Sequence, residues 1–416
     1  MKRHPVYPIL FAVLLAVAAN FPNPAVAEDW PCWRGPRNDN VSPEKGVPTR
    51  WDPADATWKI AVPGVGHASP IVWGDRIFMA TALAEKQDRM LICFDRAGGN
   101  VIWQQTVAHG PLERLHPENS YASGTPATDG KSVYVNFRVG DEIVAAAHDA
   151  VSGKQLWLVH LGPHESEWGF SNVPVLYKDK VIINGDSKGK SFLVALDRDN
   201  GHTLWRVDRT HKGISYAAPL VREMAGRVQL VECGDRCVTG FDSDTGKMIW
   251  TVDGPSEEFI ASPAYSEKAG LVFASSSYPT RELFAIKPDG HGDVTKTHIA
   301  WRDKLGSPYI SSALIVGDWM LSLNSSGIAY CYEAATGKVL WKTRLGRHHS
   351  SPVLVEGLAF FISDSGEINV IKPGPKFERV AQYQLGESCY ASPAISNGQV
   401  FVRGFKHLFC FGKPTE

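Results

Sequence analysis

The sequence predicts an all-β protein, an eight-bladed β-propeller of four-stranded antiparallel blades that closes into a ring. A phrase with Asp, Gly and Trp recurs along the chain, as in "DRAGGNVIW" (95–103), "DAVSGKQLW" (149–157) and "DSDTGKMIW" (242–250). A small residue, usually followed by Pro, opens each of eight units that succeed one another every 39 to 56 residues. The eighth unit lacks its last strand, whereas an orphan strand, "TWKIAVPG" (57–64), precedes the first unit. If this N-terminal strand completes the last blade, the ring closes and no exposed sheet edge remains between its two ends.

The first 27 residues have the features of a secretory signal peptide. Lys2 and Arg3 are positive, residues 9–19 are apolar, and "AVA" at 25–27 offers small residues for cleavage after Ala27. The apolar run is short for a membrane span, and a retained anchor is the alternative. We therefore expect a periplasmic or secreted protein, with a lead-in segment at 28–57 and the propeller at 58–416.

The small residues that open the units share one position in the repeat. They are Ser69, Thr125, Val173, Ala218, Ser262, Ser312, Ser351 and Ser392. Because Pro is tolerated as the first residue of a strand, we expect the Ser-Pro pair to begin the first of four strands in each unit.

The recurring phrase predicts a tight turn between the third and fourth strands. Its Asp can accept hydrogen bonds from turn amides, and its Gly can adopt the positive φ that the turn requires. A residue that recurs in every unit builds the unit, so a structural role is predicted for the equivalent acids Asp95, Asp149, Asp197 and Asp242.

The Trp of the phrase is predicted to lie on one sheet face and to pack against the neighbouring unit, over a slot for a small residue. The Trp positions are Trp103, Trp157, Trp205, Trp250, Trp301 and Trp341, with Tyr383 as the substitute in the seventh unit. The slot holds Cys93, Ala195, Gly240, Ala285, Cys331 and Cys410. Cysteines at one slot of different units should be far apart and unbridged, whereas Cys233 and Cys237 flank a hairpin tip, where a disulfide is an open alternative.

The net charge of −1 and the lack of a strongly basic half argue against nucleic-acid binding. The chain has no G-x-S-x-G or H-E-x-x-H motif and no phosphate-binding glycine loop. Common catalytic signatures are therefore absent from the sequence.

The phrases "AATGKVLW", "DSDTGKMIW" and "LVALD" resemble the PQQ-like repeat of the quinoprotein alcohol dehydrogenase-like propellers, over about residues 58–416. This superfamily includes dehydrogenases and the non-catalytic scaffold of the outer-membrane barrel-assembly machine, which the chain resembles more in size. The dehydrogenases typically have two adjacent cysteines beside the quinone, and some have a C-x-x-C-H haem site; neither motif occurs here. The resemblance therefore implies no catalytic residue, and PQQ with calcium stays possible without support from a motif.

One position per unit, two residues before the small residue, is predicted to face the mouth of the central channel. These rim positions are His67, Ser123, Ser171, Tyr216, Ile260, Ile310, His349 and Tyr390. Their aromatic, hydroxyl and imidazole side chains suit a planar or polar ligand. We take His67, Ser171, Tyr216, His349 and Tyr390, with Tyr121 from a nearby loop, as candidate ligand-binding residues.

Two insertions, 107–126 and 162–174, precede the second and third units and can meet above the channel. They supply the loop candidates His116, Asn119 and Trp168; variable surface cover is the alternative. No metal site is predicted, because His67 and His349 lie in different units with no carboxylate placed by spacing.

The sequence thus favours a non-enzymatic, exported and monomeric propeller that binds a protein or a component of the cell envelope. The alternative function is a PQQ-dependent alcohol or sugar dehydrogenase. A hydrolase that uses the acids of 107–126 is a more remote alternative.

Overall fold

The computed structural model describes residues 27–414 except 211–212, 235, 255–256 and 277. Among these residues, the helical elements are two short 3-10 helices, η1 (Pro53–Asp55) and η2 (Ala84–Lys86). None of the described helices has the length and apolar character needed to cross a bilayer. All other regular structure is β-sheet, as predicted.

The strands of the first half of the chain follow in order. They are β1 (Ala56–Ala61), β2 (Ile71–Trp73), β3 (Arg76–Leu83), β4 (Asp88–Asp95), β5 (Val101–His109), β6 (Ala127–Thr128), β7 (Ser132–Val139), β8 (Glu142–Asp149), β9 (Gln155–Pro163), β10 (Val175–Tyr177), β11 (Lys180–Asn184), β12 (Ser191–Asp197), β13 (Thr203–Arg209), β14 (Ile214–Ser215), β15 (Leu220–Met224), β16 (Arg227–Gly234), β17 (Cys237–Asp242) and β18 (Met248–Asp253). Blades 1 to 4 are the sheets β2–β5, β6–β9, β10–β13 and β15–β18.

The second half supplies the other blades. Its strands are β19 (Glu258–Phe259), β20 (Ala264–Ser266), β21 (Leu271–Ser276), β22 (Glu282–Ile286), β23 (Gly292–Asp293), β24 (Ile299–Asp303), β25 (Leu314–Val316), β26 (Trp319–Leu323), β27 (Ile328–Glu333), β28 (Val339–Arg344), β29 (Val353–Val355), β30 (Leu358–Ile362), β31 (Glu367–Ile371), β32 (Arg379–Gln384), β33 (Ala394–Ser396), β34 (Gln399–Arg403) and β35 (His407–Phe411). Blade 5 is β20, β21, β22 and β24; blade 6 is β25–β28; blade 7 is β29–β32; and blade 8 contains β33–β35.

The ring closes as predicted. Strand β1 pairs antiparallel with β35, with Trp58 opposite Cys410 and Ile60 opposite Leu408, and completes blade 8 in the order β1-β35-β34-β33. The last blade is therefore built from both ends of the propeller.

In six of the eight blades the small residue that opens the blade has a structural role, because its hydroxyl accepts a hydrogen bond from the preceding blade. The backbone N–H of Ser262 donates to Ser312 Oγ at 3.0 Å, and that of Ser312 donates to Ser351 Oγ at 2.9 Å. The same bond joins blade 8 to blade 1, from Ser392 N to Ser69 Oγ at 2.9 Å. We call this series of inter-blade bonds the hydroxyl belt.

The hydroxyl belt has six bonds. Besides the three just given, they run from Ser69 N to Thr125 Oγ1 (2.8 Å), Ala218 N to Ser262 Oγ (2.7 Å) and Ser351 N to Ser392 Oγ (2.9 Å). Val173 and Ala218 have no hydroxyl, so this bond cannot form at their two positions. The belt residues precede the strands: β2 begins at Ile71, after the Ser-Pro pair and not at it, which corrects the predicted strand start.

The Trp of each phrase packs on the following blade. Trp103 Nε1 donates to the carbonyl of Ala150 at 3.3 Å, and a Cβ added to Gly153 would lie 2.6 Å from the Trp103 ring. Equivalent bonds run from Trp58, Trp157, Trp301 and Trp341 to Arg96, Arg198, Ala334 and Gly374. The small-residue slot lies opposite the Trp within its own blade, as Cys93 pairs with Trp103. The glycine of the turn therefore both adopts a positive φ and leaves room for the neighbouring ring.

Two blades depart from this pattern. In blade 7 the residue opposite the slot residue Val370 is Ala381, and Tyr383 lies opposite Ile368. The prediction that Tyr383 replaces the Trp was therefore wrong by two positions along the strand. Blade 4 has a fifth strand, β23, which comes from the long turn of blade 5. Strand β23 pairs in parallel with β18 at Trp250.

The hairpin with two cysteines does not bring them face to face. Cys233 pairs with Val238 and Cys237 with Gly234, so the two cysteine side chains project from opposite faces of the sheet. Cys233 carries a free, buried thiol. The three slot cysteines Cys93, Cys331 and Cys410 are also free, as expected from their separate blades.

Candidate functional site

The two faces of the propeller differ in their connections. Successive turns of an antiparallel blade lie at alternate ends. The turns within the Asp-Gly-Trp phrases therefore lie on one face, here called the lower face, and the loops that join successive blades lie on the opposite, upper face.

The lead-in segment crosses the lower end of the channel. Trp30 pairs with Val72 of blade 1 through two backbone hydrogen bonds of 2.9 Å. The buried Arg34 donates to the carbonyls of Pro263 (2.8 Å) and Ala313 (3.4 Å), in blades 5 and 6. Burial lowers the pKa of Arg34 to about 10, and the nearby Asp39 opposes that shift.

The same segment continues to the last two blades. The N–H of Ser42 donates to Leu354 O of blade 7 at 2.8 Å. Both carboxylate oxygens of Glu44 accept from backbone amides of blade 8, at Asn397 and Gly398, at 2.7 Å. Residues 30–44 thus contact blades on opposite sides of the ring and cover its lower end.

Above this segment lies an axial cavity of about 490 Å³. All eight rim positions line it: His67, Ser123, Ser171, Tyr216, Ile260, Ile310, His349 and Tyr390. Trp33 of the lead-in segment also lines it, as do five of the small residues that open the blades, Ser69, Thr125, Val173, Ala218 and Ser392. The cavity therefore collects one rim side chain from each blade, with four residue types that each occur twice. Its size and composition suit a small ligand or a side chain of a partner.

The two insertions meet at the upper face. Asn119 Nδ2 donates to the carbonyl of Trp168 at 2.7 Å, and the rings of His116 and Trp168 lie 5.5 Å apart, edge to face. His116, Asn119 and Trp168 all line the axial cavity. The sequence-derived loop candidates are thus brought together with the rim.

A buried ion pair anchors the first insertion. Arg89 bonds the carboxylate of Glu113 and donates to the carbonyls of Gly110 (2.7 Å) and Pro111 (2.9 Å). Both charged side chains are almost fully buried. Removing one partner would leave the other charge buried and unpaired. The ion pair should therefore hold the start of the first insertion firmly in place.

Tyr121 lies apart from the other candidates. It lines a side pocket of about 290 Å³ together with Val65, Leu115 and Phe405. The side pocket shares His67, Asn119 and Tyr390 with the axial cavity. Tyr121 is therefore next to the axial cavity but not in its lining.

Two imidazoles and two aromatic rings pack together along the wall between the two cavities. The rings of His349 and Tyr390 are parallel, 3.9 Å apart, and His67 contacts Tyr390 at 4.8 Å and Phe405 at 5.0 Å. Burial, followed by the charge of Arg403, lowers the pKa of His67 to about 3. His67 is therefore a neutral imidazole near pH 7.

Asp364 orients the second histidine. Its Oδ1 lies 2.9 Å from His349 Nδ1 and also accepts from the His349 backbone N–H at 2.8 Å. Burial acts to raise the pKa of Asp364, but the interactions with His349 outweigh it and lower the pKa. The carboxylate thus holds the proton on Nδ1 and directs Nε2 towards Glu118, whose Oε2 is 3.8 Å away.

Several residues of the site were not among the candidates. Glu258, Tyr278 and Tyr309 line the cavity, and Glu118 lies in an insertion whose other residues were chosen. Glu258 is two residues before the rim position Ile260. Alternate residues of an extended segment face the same side, so this spacing could have predicted that Glu258 lines the cavity. No signal in the sequence pointed to Trp33, which reaches the cavity from the lead-in segment.

The described lining does not fit PQQ. Its only Asp, Glu, Lys or Arg side chains are Glu118 and Glu258. PQQ is a tricarboxylate, so it would bring further negative charge to a lining whose described Asp, Glu, Lys and Arg side chains are both carboxylates. Within the same described part of the chain, no group of three or more His, Cys, Asp or Glu is placed to hold a metal ion.

The repeat and the eight-bladed ring identify the class, the PQQ-like repeat propellers. The family model described as "Outer membrane protein assembly factor BamB" matches residues 87–286 and 292–372. The chain belongs to this family.

Two curated proteins are similar to the chain over part of their own length. The chain is 23% identical over 329 residues to a tetrathionate hydrolase of Acidithiobacillus ferrooxidans, covering 75% of this chain and 53% of that protein. It is 23% identical over 332 residues to a polyvinylalcohol dehydrogenase of a Pseudomonas species, covering 64% of this chain and 50% of that protein. The chain thus spans about half the length of the curated relatives it matches.

Solved structures share the fold. BamB from Moraxella catarrhalis superposes with a TM-score of 0.61 at 16% identity, over 86% of this chain and 99% of that one. The quinohemoprotein alcohol dehydrogenase ADHIIG from Pseudomonas putida HK5 gives 0.63 at 10% identity, over 93% and 81%. At these identities the likeness is one of fold alone.

Proposed function

We propose that the protein is a non-catalytic binding module of the cell envelope that receives a protein or an envelope component at its upper face. Export through the signal at 1–27, of which all but Ala27 lies outside the described residues, would place it in the periplasm or outside the cell. We further propose that it acts as a monomer.

The observation that carries this proposal is the axial cavity with one rim residue from each blade. In a repeat protein, equivalent positions that differ in residue type are where a specific ligand can be recognised, whereas invariant positions build the repeat. The lead-in segment covers the lower end, so a ligand would enter from the upper face. The family description names an assembly factor, which supports a protein partner.

Site-specific photo-crosslinking in envelope extracts tests the proposal. A photoreactive residue replaces Leu305, which is 70% exposed on the upper face, or Tyr177, at a lower-face turn, as the control. We expect an adduct from position 305 that disappears when Tyr390→Ala is added. Adducts that form only from position 177, or that survive Tyr390→Ala together with His349→Ala, would contradict binding at the mouth.

The alternative is a quinone-dependent alcohol or sugar dehydrogenase. It is favoured by the identity with the polyvinylalcohol dehydrogenase, although the described cavity lining does not match the quinone. Incubation with PQQ and Ca²⁺, followed by dye-linked oxidation of alcohols and sugars, tests it. Saturable quinone binding with substrate-dependent dye reduction would replace the binding-module proposal.

A further inference from the structure

The side pocket on the upper face has an uncharged lining. It measures about 290 Å³ and is lined by the first insertion, through Leu115 and Tyr121, and by the rings of His67, Tyr390 and Phe405. None of its described lining residues is an Asp, Glu, Lys or Arg. Because His67 is neutral near pH 7, the lining carries no formal charge, and the pocket favours an uncharged ligand.

The Asn and Ser side chains of the lining are already paired within the protein. Asn119 Oδ1 accepts from the backbone N–H of Ser120 at 2.8 Å, and its Nδ2 donates to Trp168 O at 2.7 Å. Ser120 Oγ accepts from the backbone N–H of His67 at 3.1 Å and lies 2.9 Å from Ser123 Oγ. A ligand gains little from these two side chains, so its recognition depends on apolar and ring contacts.

The rings of the lining are arranged for contact with another ring. His67 and Phe405 are close to parallel, with centroids 5.0 Å apart, whereas Tyr390 and Phe405 meet edge to face at 4.8 Å. Aromatic pairs prefer these two arrangements, so a third ring can extend the group. The guanidinium of Arg89, which belongs to the buried ion pair of the first insertion, lies 5.9 Å from the Tyr121 ring centroid. The walls are thus held in place before a ligand arrives, which lowers the entropic cost of binding.

The mouth of the side pocket leaves two large apolar side chains exposed. Val65, in the loop between blades 8 and 1, is 49% exposed, and Phe405, in a hairpin turn of blade 8, is 41% exposed. A cavity of roughly 150 Å³ is enough to hold benzene, so one aromatic side chain fits a pocket of about 290 Å³. A free aromatic molecule leaves both exposed side chains largely in water, whereas a protein whose side chain enters the pocket covers them with its own surface.

We propose that the side pocket binds an aromatic side chain of a protein partner, a Phe, Tyr or Trp that packs against Tyr121 of the first insertion and the rings of Tyr390 and Phe405. This inference rests on the proposed binding function and specifies how the partner is anchored. Large aromatic side chains that enter pockets are common anchors of protein interfaces, because they bury much apolar area with little loss of conformational entropy.

Titration of four blocked tripeptides, followed by ligand-observed NMR, tests the ring preference. The peptides have Ala at both ends and Phe, cyclohexylalanine, Lys or Glu at the centre, so they separate an aromatic ring from a saturated ring and from either charge. We expect the Phe peptide to bind at least about threefold more tightly than the cyclohexylalanine peptide and about tenfold more tightly than the charged peptides. Undetectable binding of the Phe peptide, or equal or tighter binding of any other member of the set, overturns the proposal.

Two variants locate the site. Phe405→Ala removes a ring of the side pocket, and Val65→Trp places a larger side chain at its mouth; neither residue is among the described lining of the axial cavity. Each should weaken binding of the Phe peptide at least about fivefold. Phe377→Ala is the matched control, because Phe377 is similarly exposed (36%) but lies in a lower-face turn of blade 7, and it should change nothing. Unchanged affinity in both pocket variants overturns the proposal.

Two further results identify the source of the ring and separate the two proposals. The Phe peptide should bind more tightly than benzyl alcohol, because only the peptide can cover Val65 and Phe405; equal or tighter binding of benzyl alcohol overturns the assignment to a partner's side chain. If the cross-link from position 305 persists but no Phe peptide binds, this inference fails and the proposed function stands. If the Phe peptide binds but no cross-link forms, the proposed function fails and the preference of the side pocket for an aromatic ring stands.

Discussion

The contact between a blade's turn glycine and the preceding blade's Trp can be isolated by one pair of variants. Gly337, in the phrase "AATGKVLW", and Gly357, in a hairpin turn of blade 7, both have a φ of +73°. A Cβ at residue 337 would lie 2.6 Å from the Trp301 ring, whereas nothing lies within 4 Å of one at residue 357. Gly337→Ala and Gly357→Ala therefore share the backbone strain and differ in the collision.

The magnitudes follow from these two terms. A left-handed conformation costs an alanine about 1–2 kcal/mol at either position. Overpacking against a ring that cannot move freely costs about 1–3 kcal/mol more, and the Trp301 ring is held by its bond to Ala334 O at 3.0 Å. We expect Gly337→Ala to lower the free energy of unfolding by about 2–5 kcal/mol, and Gly357→Ala by only the strain.

Guanidinium denaturation followed by far-UV circular dichroism measures both variants without relying on Trp fluorescence. The double variant Gly337→Ala/Trp301→Leu completes the test, because removing the ring should remove the excess cost of the alanine. If Gly337→Ala and Gly357→Ala shift the midpoint equally, inter-blade packing on the turn glycine is not what the repeat preserves.

Two other predictions concern buried groups. Ser312→Ala leaves the buried N–H of Ser262 without its acceptor, so we expect it to lower the unfolding free energy by about 1–3 kcal/mol in denaturant titrations. The control variant Ser326→Ala removes an exposed hydroxyl and should change the unfolding free energy very little. Burial lowers the pKa of His164 from 6.5 to about 3, so the unfolded state binds the extra proton, and His164 alone should lower the unfolding free energy by about 2 kcal/mol between pH 7 and pH 5. His164→Gln should reduce that loss; an unchanged pH dependence would contradict it.

Local chemistry made most of the fold predictable. The Asp-Gly turn and its Trp recur because every blade needs the same hairpin and the same contact with its neighbour, so one phrase located the blades. The orphan strand around Trp58 fitted the gap in blade 8 because pairing must be complete in a closed ring. The misplacement of Tyr383 shows where this reasoning fails. Alternate residues of a strand lie on the same sheet face, so the sequence pattern does not distinguish Tyr383 from Ala381, and only the cross-strand pairing does.

The site was predictable only in part. The eight rim positions follow from the repeat, so their convergence on one cavity could be expected. Asp364, which orients His349, lies in a hairpin loop of the same blade, and no period connects the two residues. The course of residues 30–44 across the lower face depends on contacts with seven blades, which a linear sequence does not display.

The way the ring closes sets an order of events during folding. Trp58 must find Cys410, 352 residues further along the chain (410 minus 58), whereas most other strand pairs join near neighbours. Pairing over so large a separation carries a high entropic cost and is slow. The strand around Trp58 therefore leaves the ribosome long before its partner and has to stay unpaired, or protected by a chaperone, until the rest of the propeller has been translated.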